Sequence, residues 1–186
     1  VQLDGAPVAG PASERVRRGI ALVPEDRARH GILAEDPVSV NVSLAWVGRP
    51  GAGPRIDRAA ERGIVRRTVD RVLLRPADPA RPVRTLSGGN QQKAVLGRWI
   101  AVEPAVLLLD EPTRGVDVGA RAEIHAEVRR LADAGTAVLF ASSDLEEVLV
   151  LADRVIVLHD GAVAGELPVH DATEEAIMHL ATGGRA

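Results

Sequence analysis

Residues 86–93 read Leu-Ser-Gly-Gly-Asn-Gln-Gln-Lys, and this stretch decides the fold and the chemistry of the chain. Two glycines after a serine let backbone amides approach an anion closely, because neither glycine carries a Cβ. The following residues predict a helix whose positive N-terminal end points toward the same place. Such a pentapeptide is expected by accident in on the order of a few in ten thousand chains of this size. The stretch therefore favours a binding site for a terminal phosphate over a plain capped helix after a glycine turn.

A second informative stretch lies downstream, where residues 106–111 read Val-Leu-Leu-Leu-Asp-Glu. It predicts a buried strand that ends in two adjacent carboxylates, Asp110 and Glu111. At the C-terminal edge of a parallel strand, an acid lies where doubly wound sheets bind their ligands. In nucleotide hydrolases the first acid holds Mg²⁺ and the second can orient the attacking water. Taken alone, this pattern fits an ordinary strand end equally well, and the glycine stretch is what favours the chemical interpretation.

The spacing of apolar runs predicts an α/β fold. Runs that are apolar on both faces alternate with helix-length segments, which indicates a parallel sheet covered on each side. The predicted strands are residues 19–23, 106–109, 136–141 and 154–158. The predicted helices are residues 12–18, 38–47, 57–74, 89–102, 119–134, 145–152 and 174–181. Asp57 is predicted to cap the helix that it begins, and the Gly and Pro residues of positions 49–55 predict a loop before it. An Asp-Gly turn at residues 160–161 predicts a hairpin that continues through residue 167, and residues 1–8 predict a strand with another Asp-Gly turn.

Composition narrows the classes of function. The 186 residues carry a net charge of -3, whereas nucleic-acid-binding domains usually concentrate basic charge. Aromatic residues make up only 2% of the chain, which argues against stacking platforms for single-stranded nucleic acid. No apolar run approaches the roughly 20 residues that cross a bilayer, and the lack of cysteine excludes disulfides and thiolate metal sites. The composition predicts a soluble domain that does not bind nucleic acid.

The residues 86–90 resemble the signature motif of ATP-binding-cassette proteins, and residues 106–111 resemble the Walker B strand of that family. Asp117 falls where the family has its D-loop. Residues 21–27, which read Ala-Leu-Val-Pro-Glu-Asp-Arg, resemble the second cassette of the double-cassette ATPases that drive monosaccharide import. This resemblance implies a P-loop NTPase-like sheet with a helical subdomain at about residues 34–102. It implies a Walker B, D-loop, switch and C-terminal hairpin region at residues 103–186.

The same resemblance implies ATP and Mg²⁺ as cofactors. It assigns Asp110 to the metal ion and Glu111 to catalysis. The residues that it places at the nucleotide are Ser87, Gly88, Gly89, Asn90, Glu25, Asp117 and Ser143. In this family two cassettes meet head to tail, and each ATP lies between the Walker motifs of one cassette and the signature of the other. The signature of this chain is therefore expected to serve an ATP held by a partner cassette.

Three departures from the family pattern affect what the chain is expected to do. No Gly-x-x-x-x-Gly-Lys-Ser/Thr loop occurs, and the lysine in the chain, Lys93, follows the signature. We therefore expect a partial cassette, truncated before Val1, that binds ATP poorly by itself. Glu25 stands at the usual Q-loop glutamine; its carboxylate can also hold Mg²⁺ or a water, but it cannot donate a hydrogen bond when ionised. Ser143 stands at the switch histidine, so the bond to the terminal phosphate is expected to be lost and the cassette to be degenerate.

The resemblance also implies partners and a location. The expected partners are a second cassette, on the same polypeptide and on a second copy of it, then the membrane permease subunits and, indirectly, a solute-binding protein. The expected location is the cytoplasmic face of the membrane. Two alternatives stay open: a soluble cassette protein that acts on ribosomes or DNA, and a silent cassette that regulates its partner without touching nucleotide. The intact signature argues against the silent cassette, and the lack of a basic face or a long coiled-coil insertion argues against the ribosome or DNA role.

Overall fold

The computed structural model describes residues 2–3, 5–49, 53 and 55–184 of the chain. The chain divides into two compact units, residues 1–141 and residues 142–186, and each unit is described here by itself. The α/β class predicted from the sequence is confirmed, because helices alternate with parallel strands in the first unit.

The first unit begins with a small hairpin and continues into an alternation of helices and strands. Its strands are β1 (Gln2–Leu3), β2 (Ala6–Pro7), β3 (Ile20–Val23), β4 (Val106–Asp110) and β5 (Ala137–Ala141). Its α-helices are α1 (Ala12–Arg17), α2 (Val38–Val47), α3 (Arg58–Arg71), α4 (Gly88–Ile100) and α5 (Val118–Asp133). A π-helical turn at Arg27–Gly31 and a 3₁₀ turn at Val83–Thr85 were not predicted. The predicted turn at the start of the chain is confirmed by the pairing of β1 with β2, although Val1 and Asp4 lie outside the described residues.

A three-stranded parallel sheet in the order β3-β4-β5 organises this unit. On one face, the side chains of Ala21, Val23 and Leu107 are at most 1% exposed. The opposite face is far more open, since Leu22 is 49% exposed and Leu139 is 62% exposed. Leu108 lies between these two leucines in the strand register. The expectation of a sheet covered on both faces is therefore wrong for the described part of the chain. We call Leu22, Leu108 and Leu139 the leucine row, and this row is only partly covered by other residues.

The helices between β3 and β4 form a helical layer with its own apolar contacts. Helix α2 packs against α3 and α4, and Val38, Val42 and Val95 are buried there. Asp57 begins α3 as predicted, because its Oδ1 accepts hydrogen bonds from the backbone amides of the first turn. The loop between α2 and α3 was predicted from its Gly and Pro residues, and it lies largely outside the described residues.

The second unit contains a hairpin flanked by two helices: α6 (Leu145–Leu151), β6 (Arg154–His159), β7 (Ala162–Pro168) and α7 (Glu174–Ala181). The predicted hairpin is confirmed, because β6 and β7 pair in antiparallel register. The assignment of residues 154–158 to the parallel sheet was wrong, since β6 pairs with β7 in a separate two-stranded sheet. The Asp-Gly turn explains the error, because it returns the chain beside β6 at once. Among the described residues, no helix has both the length and the apolar character needed to cross a membrane.

Candidate nucleotide site

The signature stretch forms the N-terminal end of α4. Ser87 is the N-cap residue in extended conformation, but its side chain does not accept a hydrogen bond from the helix amides. The first turn of α4 carries no acidic side chain either. A helix N-terminus has several amide donors that the helix itself does not satisfy, and it has positive partial charge. The exposed end at Ser87 therefore has the chemistry to receive an anion supplied from outside the helix.

Asn90 connects the signature to the end of α3. Its Nδ2 donates to Ser87 Oγ across 2.9 Å, and its Oδ1 accepts from the backbone N–H of Arg75 across 2.7 Å. Lys93, one turn further along α4, donates to the carbonyl oxygen of Leu73. Two residues of α4 therefore hold the segment 73–75, and the side chain of Asn90 makes a hydrogen bond to the protein at each of its two amide atoms.

The two signature glycines have a packing role in addition to any role toward a ligand. A Cβ at Gly89 would lie 2.5 Å from the Cβ of Ala120 in α5. A Cβ at Gly88 would lie 2.7 Å from Arg27 Nη2 and 3.0 Å from the carbonyl oxygen of Gly115. Cβ atoms essentially never lie as close as 2.5 Å to another carbon, so a side chain at Gly89 would push α4 away from α5. At Gly88 the Arg27 guanidinium is the end of a flexible side chain and can move, so the Gly115 carbonyl oxygen sets the tighter limit there.

Two segments distant in sequence meet beside the signature. Arg27 lies after β3, donates from Nη1 to the carbonyl oxygen of Arg114 across 3.0 Å, and places Nη2 beside Gly88. Glu25 forms an ion pair with Arg114 in the loop after β4. The carboxylate at the predicted Q-loop position is thus neutralised by an arginine. Its side chain is 46% exposed, so the pair contributes little to stability.

Asp110 and Glu111 lie at the C-terminal end of β4, as predicted. Asp110 is exposed and ends the strand in register with Ala141. Glu111 adopts a left-handed backbone conformation with φ of 47°, while its N–H still donates to the carbonyl oxygen of Ala141 across 2.9 Å. A residue other than glycine in this region is strained, and such strain clusters at functional sites. The backbone strain therefore lies at one of the two neighbouring acids.

Asp117 and Ser143 have different surroundings. Asp117 Oδ1 accepts from the backbone N–H of Ala120 and so caps α5, while Oδ2 faces Gly89. Ser143 belongs to the second unit and is exposed just before Asp144, the N-cap of α6. The neighbouring Ser142 donates to Glu147 Oε2 across 2.6 Å. The structure therefore groups Asp117 with the signature inside the first unit, and it places Ser143 in the other unit.

The residues present offer two separate partial sites, one for Mg²⁺ and one for a nucleotide phosphate. An exposed carboxylate such as Asp110 is the hard oxygen donor that Mg²⁺ prefers, and the N-terminus of α4 suits a phosphate. Lys93 does not fit the role of a phosphate-binding lysine, because its ammonium group is buried and paired with Glu123. The other groups that each partial site needs would come from residues outside the signature and outside the segment that ends at Asp110 and Glu111.

Comparison with known proteins agrees with this geometry. The family model described as ABC transporter matches residues 1–114. The chain is 47% identical over 182 residues to the xylose import ATP-binding protein XylG of Burkholderia ambifaria, covering 97% of this chain and 35% of that protein. It is 46% identical over 190 residues to the ribose import ATP-binding protein RbsA 1 of Streptomyces coelicolor, covering 100% of this chain and 37% of that protein.

A solved structure shows the same fold. The dimeric ATP-binding cassette MJ0796, bound to ADP and Pi in a post-hydrolysis state, superposes with a TM-score of 0.72 at 21% identity, covering 82% of this chain and 64% of that one. The fold and the signature together define the α/β fold class of the ATP-binding cassettes. The chain belongs to the ABC transporter family. It spans little more than a third of the length of the curated relatives that it matches.

Sequence reasoning found the signature and the acids but missed Arg27, Arg114 and Arg75. Arg27 and Arg114 lie inside motifs that were already recognised, and only their contact across 87 positions shows their role. The contribution of Arg75 is a backbone amide, so no side-chain pattern could have revealed it.

Proposed function

We propose that this chain is the C-terminal cassette of an ATPase that drives import of a sugar across the membrane. The observation that carries this proposal is the intact, uncapped signature at the N-terminus of α4. The identity of 46–47% to xylose and ribose import ATP-binding proteins over nearly the whole chain supports the sugar class. The silent regulatory cassette is less consistent with the signature, since such a module has no need for these exposed donors.

In this proposal, the signature of the chain completes a nucleotide site on a partner cassette. The backbone amides at Gly88 and Gly89, with the Ser87 hydroxyl, donate to the terminal phosphate of an ATP that the partner holds. These donors are positioned before the nucleotide arrives, so they stabilise developing charge without reorganising. Closure of the two cassettes around ATP couples binding to a conformational step in the permease, and hydrolysis allows the cassettes to reopen.

Asp110 and Glu111 would serve the opposite site of the cassette pair. Asp110 would hold Mg²⁺, which neutralises phosphate charge when it is bound, and Glu111 would orient the attacking water. Ser143 has a short neutral side chain and Glu25 is paired with Arg114, so this site is expected to turn over slowly or not at all. The chain is thus a degenerate cassette whose main contribution is its signature.

The partners follow from this arrangement. A second cassette supplies the Walker motifs that face Ser87, permease subunits anchor the pair at the cytoplasmic face of the membrane, and a solute-binding protein delivers the sugar. The cassette does not touch the sugar, so the permease and the binding protein determine which sugar is carried. Nucleic acid is not expected as a partner, because the net charge of the chain is -3.

Substitution of Ser87 by arginine in the full-length protein tests the proposal. A guanidinium group at the end of α4 fills the space for the phosphate, so we expect ATP-dependent sugar uptake in vesicles to fall to background. Ser13→Arg is the matched control, because Ser13 is an exposed serine on α1 outside the signature, and uptake should remain normal. Near-normal uptake by the Ser87→Arg protein, at equal expression and assembly, would exclude the proposed role of the signature.

A further inference from the structure

The side-chain amide of Asn90 is held in one orientation. The backbone N–H of Arg75 lies 2.7 Å from Asn90 Oδ1. A backbone N–H can only donate, so the amide atom that faces it must be the oxygen. This contact leaves Nδ2 as the amide atom that faces Ser87, at 2.9 Å from Oγ. The direction of one hydrogen bond therefore fixes the direction of the next.

This chain of hydrogen bonds determines how Ser87 can act. Because an amide NH₂ group cannot accept, Ser87 Oγ uses a lone pair toward Asn90 and keeps its proton for another acceptor. Ser87 does not cap α4, and the first turn of the helix has no acidic side chain to take that proton. The serine is also exposed. Its hydroxyl is therefore set up as a donor toward the space in front of α4.

We propose that Asn90 is a positioning residue that makes Ser87 a hydrogen-bond donor to the terminal phosphate of the nucleotide. This inference rests on the proposed function. A phosphate oxygen can only accept, so a hydroxyl whose proton pointed elsewhere would present a lone pair to it and would be repelled. Asn90 acts through Ser87, since its amide oxygen bonds to the Arg75 backbone and its amide nitrogen donates to Ser87.

A double-mutant cycle in the full-length protein with its permease tests this role. The readout is closure of two fluorescently labelled cassettes driven by a non-hydrolysable ATP analogue, which requires no catalysis. We expect Ser87→Ala to raise the analogue concentration needed for half-closure by about 10- to 100-fold, because a hydrogen bond to a charged group is lost. Asn90→Leu, which has similar size and no hydrogen bonds, should raise it by about 10-fold.

The coupling between the two positions is the decisive quantity. If Asn90 acts through Ser87, adding Asn90→Leu to Ser87→Ala should change half-closure by less than about twofold. Asn90→Gln keeps an amide donor and should restore part of the affinity. Additive effects of the two substitutions, or an Asn90→Leu protein that closes normally, would overturn the inference while leaving the proposed function intact. A Ser87→Ala protein that closes normally would instead remove support from the proposed function.

A further variant distinguishes a change in hydrogen bonding at position 90 from a loss of folding. Asn90→Asp preserves the shape of the side chain and the acceptor for Arg75, but its carboxylate accepts the proton of Ser87. We expect it to weaken closure more than Asn90→Leu while the thermal unfolding midpoint stays within a few degrees of the parent. Equal or weaker impairment than in Asn90→Leu would contradict the assigned hydrogen-bond direction.

Discussion

At Gly89, the space for a side chain is taken up by the protein itself. A Cβ there would lie 2.5 Å from the Cβ of Ala120 and 3.2 Å from Asp117 Oδ2. Asp117 is also the N-cap of α5, so the glycine lets the start of one helix pack on the start of another. The sequence suggested that this glycine admits a phosphate. The structure adds that the lack of a side chain at Gly89 also lets α5 pack against α4. A substitution at this position therefore affects both phosphate binding and helix packing.

A pair of substitutions separates these two demands. Gly89→Ala should lower the free energy of unfolding by about 1–3 kcal/mol through overpacking. Adding Ala120→Gly removes the Cβ that the new methyl group would contact first, so the double variant should recover a substantial part of the lost stability. Ala120→Gly alone should be mildly destabilising, because glycine is unfavourable in a helix. The measurement is chemical denaturation of all four proteins. Additive destabilisation in the double variant would mean that α4 and α5 do not meet at this point.

The residue-scale predictions from sequence succeeded where chemistry was local. Asp57 was identified as a helix cap from its neighbours alone, and its contacts confirm that role. Glu25 was treated as a possible ligand for Mg²⁺ or water, but the structure pairs it with Arg114 across 89 positions. That pairing depends on how β3 and β4 align in the sheet, and the sequence motif around Glu25 does not show this alignment.

At the element scale, a buried polar hub joins α2 to α4. Asn41 is 0% exposed, and its side chain exchanges hydrogen bonds with the backbone of Leu33 in both directions. Arg98, also buried, donates to the backbone and side-chain oxygens of Asn41, and burial lowers the pKa of Arg98. The packing of these two helices thus depends on polar contacts inside an otherwise apolar layer.

Removal of the hub should therefore be costly. Asn41→Ala leaves the Leu33 amide without its side-chain partner and removes the hydrogen bond from Arg98 Nη2, while the bond from Arg98 Nε to the backbone oxygen of residue 41 remains. We expect the free energy of unfolding to fall by about 3 kcal/mol. Arg98→Met keeps the aliphatic stem and removes the buried charge, so its cost should be smaller. Urea denaturation of both variants tests the order. A larger loss for Arg98→Met than for Asn41→Ala would contradict the description of Asn41 as the hub.

The contact between α2 and α3 predicts a dependence on pH. The hydrogen bond from Arg58 lowers the pKa of Glu61, opposed by burial and assisted by the hydrogen bond from Ser43. A lowered pKa means that the stabilisation is complete above the pKa of the unfolded chain and is lost as the pH falls through the folded value. Glu61→Gln should cost about 1 kcal/mol at neutral pH. The difference between parent and variant should shrink toward zero in acid; a difference independent of pH would count against the ionised contact.

Most helices were predictable from sequence because their signals are local. The apolar pattern placed α2 and α7 at their observed bounds, and the ends of α3 and α4 differed by one to three residues. The pairing of strands could not be predicted in the same way. Residues 154–158 looked like the buried strands of the parallel sheet, yet β6 pairs with β7 in a sheet of its own. Strand pairing depends on the path of the whole chain, which apolar content does not specify.

On the scale of the molecule, the open leucine row on the parallel sheet is the main apolar feature of the first unit. Leu22 and Leu139 are 49% and 62% exposed, and Leu108 lies between them in register. Exposed contiguous apolar surface favours association. In relatives that are nearly three times as long, other segments are available to cover such a face.

The 186-residue chain expressed by itself should therefore self-associate. Replacing Leu22 and Leu139 with threonine keeps strand propensity and should shift the sedimentation profile toward monomer. Val118→Thr is the control, because Val118 is 84% exposed but lies on α5 rather than on the sheet, and it should leave the profile unchanged. Equal association of all three proteins would show that the leucine row is not the contact surface.

The central claim is that the signature of this chain donates to a nucleotide held by another cassette. A cryo-electron microscopy structure of the full-length protein with its permease and a non-hydrolysable ATP analogue measures this directly. We predict that Ser87 Oγ and the amide of Gly89 lie about 3 Å from oxygens of the terminal phosphate. A closed, nucleotide-loaded assembly in which both groups face solvent or the permease would contradict the account.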